Sequence, residues 1–198
     1  MADPSYAVLV EFEARELLPS FPRDSVCHAQ ARVVARDPKT GRPLKDAPPM
    51  ATLSWRLVEY GAAVDAGLEL ADVADAHPEL APLHDAMFDD EGSVRHEIGE
   101  IAAIGHDLVV VDRIEVAPEL DFQKVGGALL DHVLAHFTGG CIAAVYLEQG
   151  TRNAKARELV LGRNFRAYPQ GDWAFFLLDL GLEGGHQHEP TPGGFKAQ

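Results

Sequence analysis

The sequence predicts a mixed α/β fold on one sheet: an antiparallel meander of three strands, a helical stretch, and then a β-α-β-α-β run. Three observations carry this. Between residues 6 and 60, short apolar runs alternate with segments rich in Pro, Gly and Asp. Residues 108–116 and 141–148 are apolar nearly throughout and too short for helices, which marks strands buried on both faces. A single amphipathic stretch separates those two, so they should lie parallel, joined by a right-handed crossover.

Tyr6–Glu13 (YAVLVEFE) reads as the first strand, and Pro19 and Pro22 punctuate the connection after it. His28–Ala35 is the second strand, and Asp37–Pro49 (DPKTGRPLKDAPP) has the composition of a turn-rich loop. Ala51–Tyr60 (ATLSWRLVEY) is the third strand, with Leu53, Trp55, Leu57 and Val58 as its apolar members. From Ala62 to about Phe88 the chain turns to Ala, Leu, Asp and Glu, with Pro78 and Pro82 dividing it into helical pieces. Ser93–Ile104 has a helical pattern with Ser93 at the N-cap. Leu108–Val116 is the fourth strand. Val125, Leu129, Val133 and Phe137 recur every fourth residue and define an amphipathic helix over Val125–Phe137. Cys141–Glu148 is the fifth strand, Asn153 caps a helix running to about Gly162, and Trp173–Leu180 (WAFFLLDL) closes the sheet. The expected domain is residues 1–180, with 181–198 a disordered tail rich in Gly, Pro and His.

Bulk properties narrow the function. The formal net charge is −14, a field that repels nucleic acid and acidic membranes, so neither is expected as a partner. Cationic small molecules or basic peptides suit it better, although solubility alone explains such a charge. No run reaches the ~18 apolar residues of a membrane helix. The first residues carry acids where a secretory signal carries bases, so a cytoplasmic location is expected. Cys27 and Cys141 are expected as thiols. His186 and His188 lack a rigid third ligand, and no metal site is expected.

The chemistry should reside in the turn after the fourth strand. A helix N-terminus at the end of a buried strand offers free N–H groups and a favourable dipole to an anion. Gly126 and Gly127 stand near that start, where glycine permits close backbone approach or close packing.

Around this turn the chain resembles the GNAT (GCN5-related N-acetyltransferase) superfamily over Leu108–Leu180. The resemblance rests on Val116-Ala117-Pro118 at the strand end, Leu129-Leu130 in the helix and Leu147-Glu148 ending the next strand. It extends to Asn153, Ala156 and Phe165 in NAKARELVLGRNF, spaced without a gap. It implies a GNAT-like fold with central parallel strands that splay, a pantetheine arm between them, and acetyl-CoA as co-substrate. An amine of a small molecule or peptide would attack the thioester directly, with a base to take its proton. The residues implied to hold the cofactor are Val116, Gln123, Lys124, Val125, Gly126, Gly127, Ala128 and Asn153. The candidate bases are Glu148, Asp112 and Glu115. Asp112, set among valines, calls for a raised pKa or a paired cation. A homodimer is compatible with this reading.

The chain departs from the family pattern at four positions. In the ungapped register, preferred because it also places Leu129-Leu130, the family's Arg is Asp121 and its first Gly is Lys124. A second register, Gln123-x-x-Gly126-x-Ala128, satisfies the pattern with a longer loop. The Asp turns attraction for a diphosphate into repulsion, on the order of 2–3 kcal/mol at ~6 Å before screening. The family's thiolate-protonating Tyr is Val160, and its Gly before Phe165 is Asn164, which tolerates a left-handed backbone. These departures motivate an alternative: a non-catalytic binding or assembly module on the same fold. The donor reading depends on bare main-chain amides in the turn after the fourth strand.

Overall fold

The computed structural model describes residues 6–12, 25–37, 39–44, 46–89, 95, 98, 107–137, 141–148, 153–170 and 173–180. Its elements are β1 (Tyr6–Phe12), β2 (Val26–Ala35), β3 (Ala51–Val58), α1 (Tyr60–Asp65), α2 (Leu70–Ala76) and α3 (Ala81–Met87). These are followed by β4 (Asp107–Val116), α4 (Phe122–Leu134), β5 (Cys141–Glu148), α5 (Ala154–Leu161), β6 (Arg166–Gln170) and β7 (Trp173–Asp179). All seven strands form one sheet in the order β1-β2-β3-β4-β5-β7-β6. The first four pair antiparallel, β4 and β5 are parallel, and β7 runs antiparallel to both β5 and β6. This is the mixed architecture the sequence predicts, with one strand added.

The added strand is β6, over Arg166–Gln170. Pro169 within it, and only five residues of length, hide it from a pattern search. Asn164, just before it, adopts φ 63°, the left-handed conformation expected where the family carries glycine. The segment 93–104 and the tail 181–198, with His186 and His188, lie outside the described residues apart from Arg95 and Ile98.

The core has two layers because β-strand side chains alternate between faces. On one face Trp55, Val109, Val111, Ala143, Val145 and Phe176 pack with Leu129, Leu130 and Val133 of α4 and Leu159 and Val160 of α5. On the other, Leu108, Val110, Ile142 and Phe175 pack with Ala63, Val73, Leu83 and Met87 from α1, α2 and α3. Pro78 lies in the turn between α2 and α3, while Pro82 sits in the first turn of α3, where its missing N–H costs nothing.

Trp55 and Arg56 are adjacent and both buried, which breaks the alternation of β3 only in appearance. Trp55 enters the α4–α5 layer and Arg56 the opposite one. Between them and β4 the register slips: Ser54 pairs with Arg113 and Trp55 with Val111, leaving Asp112 unopposed in a β-bulge. Cys27 and Cys141 are both thiols, as expected. Burial, then the nearby charge of Asp107, pushes the Cys141 thiol above its usual range.

Among the described residues no helix is long and apolar enough to cross a membrane.

Candidate functional site

The central parallel pair is short. Its ladder runs from Asp107↔Cys141 to Val111↔Val145 and stops. Both strands continue, however. β4 remains paired with β3 as far as Val116, and β5 with β7 as far as Glu148. The sheet therefore forks beyond Val111 and Val145, where the ladder between the two strands ends and their facing edges are no longer paired in it.

Main-chain groups line the β4 arm of this fork. Ala117 N donates to Met50 O at 2.8 Å, and Val116 is the register partner of Ala51. In an antiparallel pair, residues alternate between bonding across to the partner and turning their N–H and C=O away from it. Counting back from Ala117, Arg113 and Glu115 bond toward β3, and Ile114 and Val116 present their peptide groups to the fork. Val116, a sequence-predicted cofactor residue, thus turns its peptide groups to the fork, and so does Ile114, which the sequence reading does not name.

The turn that follows behaves differently. The sequence places the helix start at Val125; α4 begins three residues earlier, at Phe122. Asp121 is its N-cap, with extended backbone (φ −72°, ψ 111°). The Asp121 carboxylate accepts from Gln123 N at 2.9 Å and from Lys124 N at 3.1 Å. Its carbonyl accepts from Val125 N at 2.9 Å. Gly126, Gly127 and Ala128 lie inside the helix, where each N–H bonds the carbonyl four residues back. The physical reason is local. Aspartate is a strong N-cap former, worth about 1 kcal/mol, and Phe122-Gln123-Lys124 contains no residue that opposes helix. The amides of Gln123, Lys124 and Val125 are therefore paired within the protein, and this turn does not offer the bare main-chain amides that the sequence reading expected of it.

The two glycines serve packing here. A Cβ on Gly126 would meet Ile114 and Leu159 side-chain atoms at 3.3 Å and Val116 at 3.4 Å. One on Gly127 would overlap the guanidinium of Arg163, whose Nε donates to Asp131 at 2.6 Å. The Gln123 side chain crosses to α5, donating to Lys155 O at 2.9 Å. Asn153 precedes α5, but its side chain makes no capping bond to that helix. Val160, in the position of the family's tyrosine, is fully buried.

The candidate bases separate. Asp112 is the bulged residue at the branch point, and its expected cation is Arg56. Arg56 Nε donates to Asp112 Oδ1 at 2.9 Å and Oδ2 at 3.1 Å, and Nη2 closes a further short contact to Oδ1. The other side of Arg56 faces Glu79, with Nη1 to Oε1 at 3.1 Å; His77 Nδ1 lies 3.5 Å from the same oxygen. Burial pushes the Glu79 carboxyl up, but its own backbone N–H, Arg56 and His77 outweigh this and hold it below the usual carboxylate range. Glu115 is exposed and engaged with Arg113 at 2.6 Å. Glu148 ends β5 opposite Trp173, on the other arm of the fork from Asp112; its side chain is outside the described residues.

Arg56, Glu79 and His77 were not singled out from the sequence. One signal was present: a lone arginine inside an apolar strand, and an aspartate inside another that needed a cation.

A cavity of about 50 Å³ opens at this cluster, lined by Arg56, Glu79, Leu80, Leu83, Val110, Val111 and Asp112. It lies on the α1–α3 face at the base of the fork. Among the described residues no cluster of three or more metal-ligating side chains is present.

No family model matches the chain, and no curated protein does. The structure is similar to two solved structures of NAA60 from Arabidopsis thaliana, one in complex with a bisubstrate analogue and one in complex with acetyl-CoA. Sequence identity is 13% to each, over 76% of this chain and 74% and 75% of theirs, with TM-scores of 0.43 and 0.44. At that level the likeness carries no weight for function.

Proposed function

We propose that the protein binds an acyl-CoA, with acetyl-CoA as the donor, and transfers the acyl group to a primary amine of a small molecule or peptide. The observation that supports this is the fork. A parallel pair that stops at Val111 and Val145 while both strands run on leaves a slot edged by the peptide groups of Ile114 and Val116. Those groups suit the amides of a pantetheine arm, which binds as an added strand would. In the reaction the amine nitrogen bonds to the thioester carbonyl carbon, the C–S bond breaks, and the sulfur leaves as thiolate. The amine proton passes to a carboxylate, either Asp112 at the branch point or Glu148 on the β5 arm, directly or through water. Val160 supplies no acid, so the thiolate leaves unprotonated at that position, which slows transfer without preventing it.

The donor's diphosphate competes with Asp121. That carboxylate already holds the amides of Gln123 and Lys124 and carries the wrong charge, so binding is weak and relies on the slot. The same observation favours a second reading, in which the fold is retained as a binding or assembly module that no longer transfers acyl groups.

Thermal melting with acetyl-CoA separates the two. Under the transfer reading the midpoint rises saturably. A dissociation constant near the millimolar range gives about 1.4 kcal/mol at tenfold excess, roughly 3–5 °C for a chain of this size. A midpoint that does not move in millimolar acetyl-CoA removes the transfer reading and leaves the module.

A further inference from the structure

The cavity at the base of the fork has a sign. Its cation is buried: the Arg56 side chain is only 9% exposed, and its bonds are directed at carboxylates. Its anions are accessible, with the Asp112 side chain 31% and the Glu79 side chain 50% exposed. Solvent therefore meets carboxylate oxygens over a guanidinium that no incoming anion can reach without displacing them.

The two carboxylates are held differently. Asp112 is fixed by a bidentate pair with Arg56, yet a carboxylate has about four acceptor sites and this pair leaves some open. Glu79 stands 3.1 Å from Arg56 Nη1 as an ion pair, while Nη1 is buried without an aligned hydrogen bond. Glu79 is also held by its own backbone N–H and by His77, and its half-exposed side chain keeps acceptor sites open to a ligand. The remaining walls, Leu80, Leu83, Val110 and Val111, are apolar.

We propose that this cavity is a subsite for an alkylammonium group: the charged nitrogen lies between Asp112 and Glu79, and its short apolar stem lies against Leu80, Leu83, Val110 and Val111. Arg56 is the positioning residue. It touches no ligand, and it sets the spacing of the two carboxylates and keeps the pocket's net charge at one negative unit instead of two. The local sum is one guanidinium against two carboxylates, so a single added cation neutralises the pocket. The inference rests on the transfer reading for its purpose, since it identifies the acceptor as a cationic amine on a short unbranched stem. Its test does not depend on a thioester.

The test titrates n-propylammonium and, separately, propionate into the isotopically labelled full chain, following backbone amide shifts. The expected result is a saturable response to n-propylammonium at Leu80, Leu83 and Val110–Asp112, with a dissociation constant on the order of a few millimolar. Propionate leaves those amides unmoved. Glu79→Gln and Asp112→Asn, which keep shape and remove charge, each weaken the amine about fivefold or more. Glu79 is exposed enough that its variant folds even if the Asp112 variant does not. Arg56→Lys keeps the charge and loses the two-pronged geometry, so it weakens binding while leaving the preference for cations intact. Propionate binding in place of the amine, or no saturable response to either probe, overturns the proposal. Amine binding without any acetyl-CoA effect on melting keeps the subsite and removes the transfer reading alone.

Discussion

Replacing Asp121 by Arg together with Lys124 by Gly is expected to tighten acetyl-CoA binding about tenfold, or about 1.4 kcal/mol, while lowering the melting temperature of the ligand-free protein. The two effects have opposite signs because Asp121 does two things. It caps α4 through Gln123 N and Lys124 N, worth about 1 kcal/mol to the fold. It also occupies, with a negative charge, the amides a diphosphate needs. Arg in its place frees the amides and inverts the charge. Because residue 121 is exposed, solvent and salt reduce the Coulomb change well below its unscreened value, which is why the expectation is about tenfold and no more. Gly at 124 loosens the first helical turn and costs up to about 1 kcal/mol more stability. Asp121→Asn divides the two contributions: it keeps a capping oxygen and removes the charge, so its affinity falls between the native and the double variant. Calorimetric titration measures the affinities and a ligand-free melt the stabilities. Equal affinity in all three chains means that the turn never contacts the donor.

Trp55→Ala is expected to cost about 3–5 kcal/mol and to lower the melting temperature on the order of 10 °C. Trp55 is 1% exposed and stands in β3 opposite Val111, the last β4 residue paired with β5. Its loss empties the α4–α5 layer beneath the branch point, where close packing leaves no neighbour able to refill the space. Val64→Ala serves as the comparison, since Val64 is 50% exposed and its truncation should change stability by less than about 0.5 kcal/mol. Denaturant unfolding of both reads the difference. A Trp55→Ala penalty under about 1 kcal/mol would show that the layer is loosely packed.

The legible strands are those with a run buried on both faces. Ile142–Val145 is such a run, and Cys141–Glu148 is bounded to the residue; Leu108–Val111 is another, and Leu108–Val116 misses only Asp107, although Asp112, Arg113 and Glu115 are exposed where burial on both faces is expected. β6 was not legible, because Pro169 and a five-residue length give neither alternation nor an apolar run. The start of α4 was misplaced for a different reason. Hydrophobic periodicity begins at Val125, but the helix is fixed by Asp121, a capping residue whose effect lies outside the periodic pattern. That one feature decides the state of the amides of Gln123, Lys124 and Val125. The candidate site was legible only in part. Val116 and Asp112 could be named because strand ends and isolated carboxylates are visible in one dimension. Arg56 and Glu79 could not be assigned to this site, since the Arg56–Asp112 and Arg56–Glu79 pairings span 56 and 23 residues of sequence and depend on tertiary contacts.

The unopposed Asp112 also sets which way the rest of its strand faces. Val109 and Val111 look toward α4 and α5, and so do Ile114 and Val116, an interval of three that an unbroken two-residue repeat cannot produce. Excising this single residue would restore the plain repeat: Ile114 would follow Val111 at an interval of two, and Ile114 and Val116 would keep their place beside Gly126. Excision would remove only the bulge and the carboxylate that Arg56 grips, whereas flattening the bulge with the residue still present would turn Ile114 and Val116 outward and drive Arg113 and Glu115 into that crowded space. The strand should therefore tolerate a deletion at this point better than a side chain that forces residue 112 into the ladder.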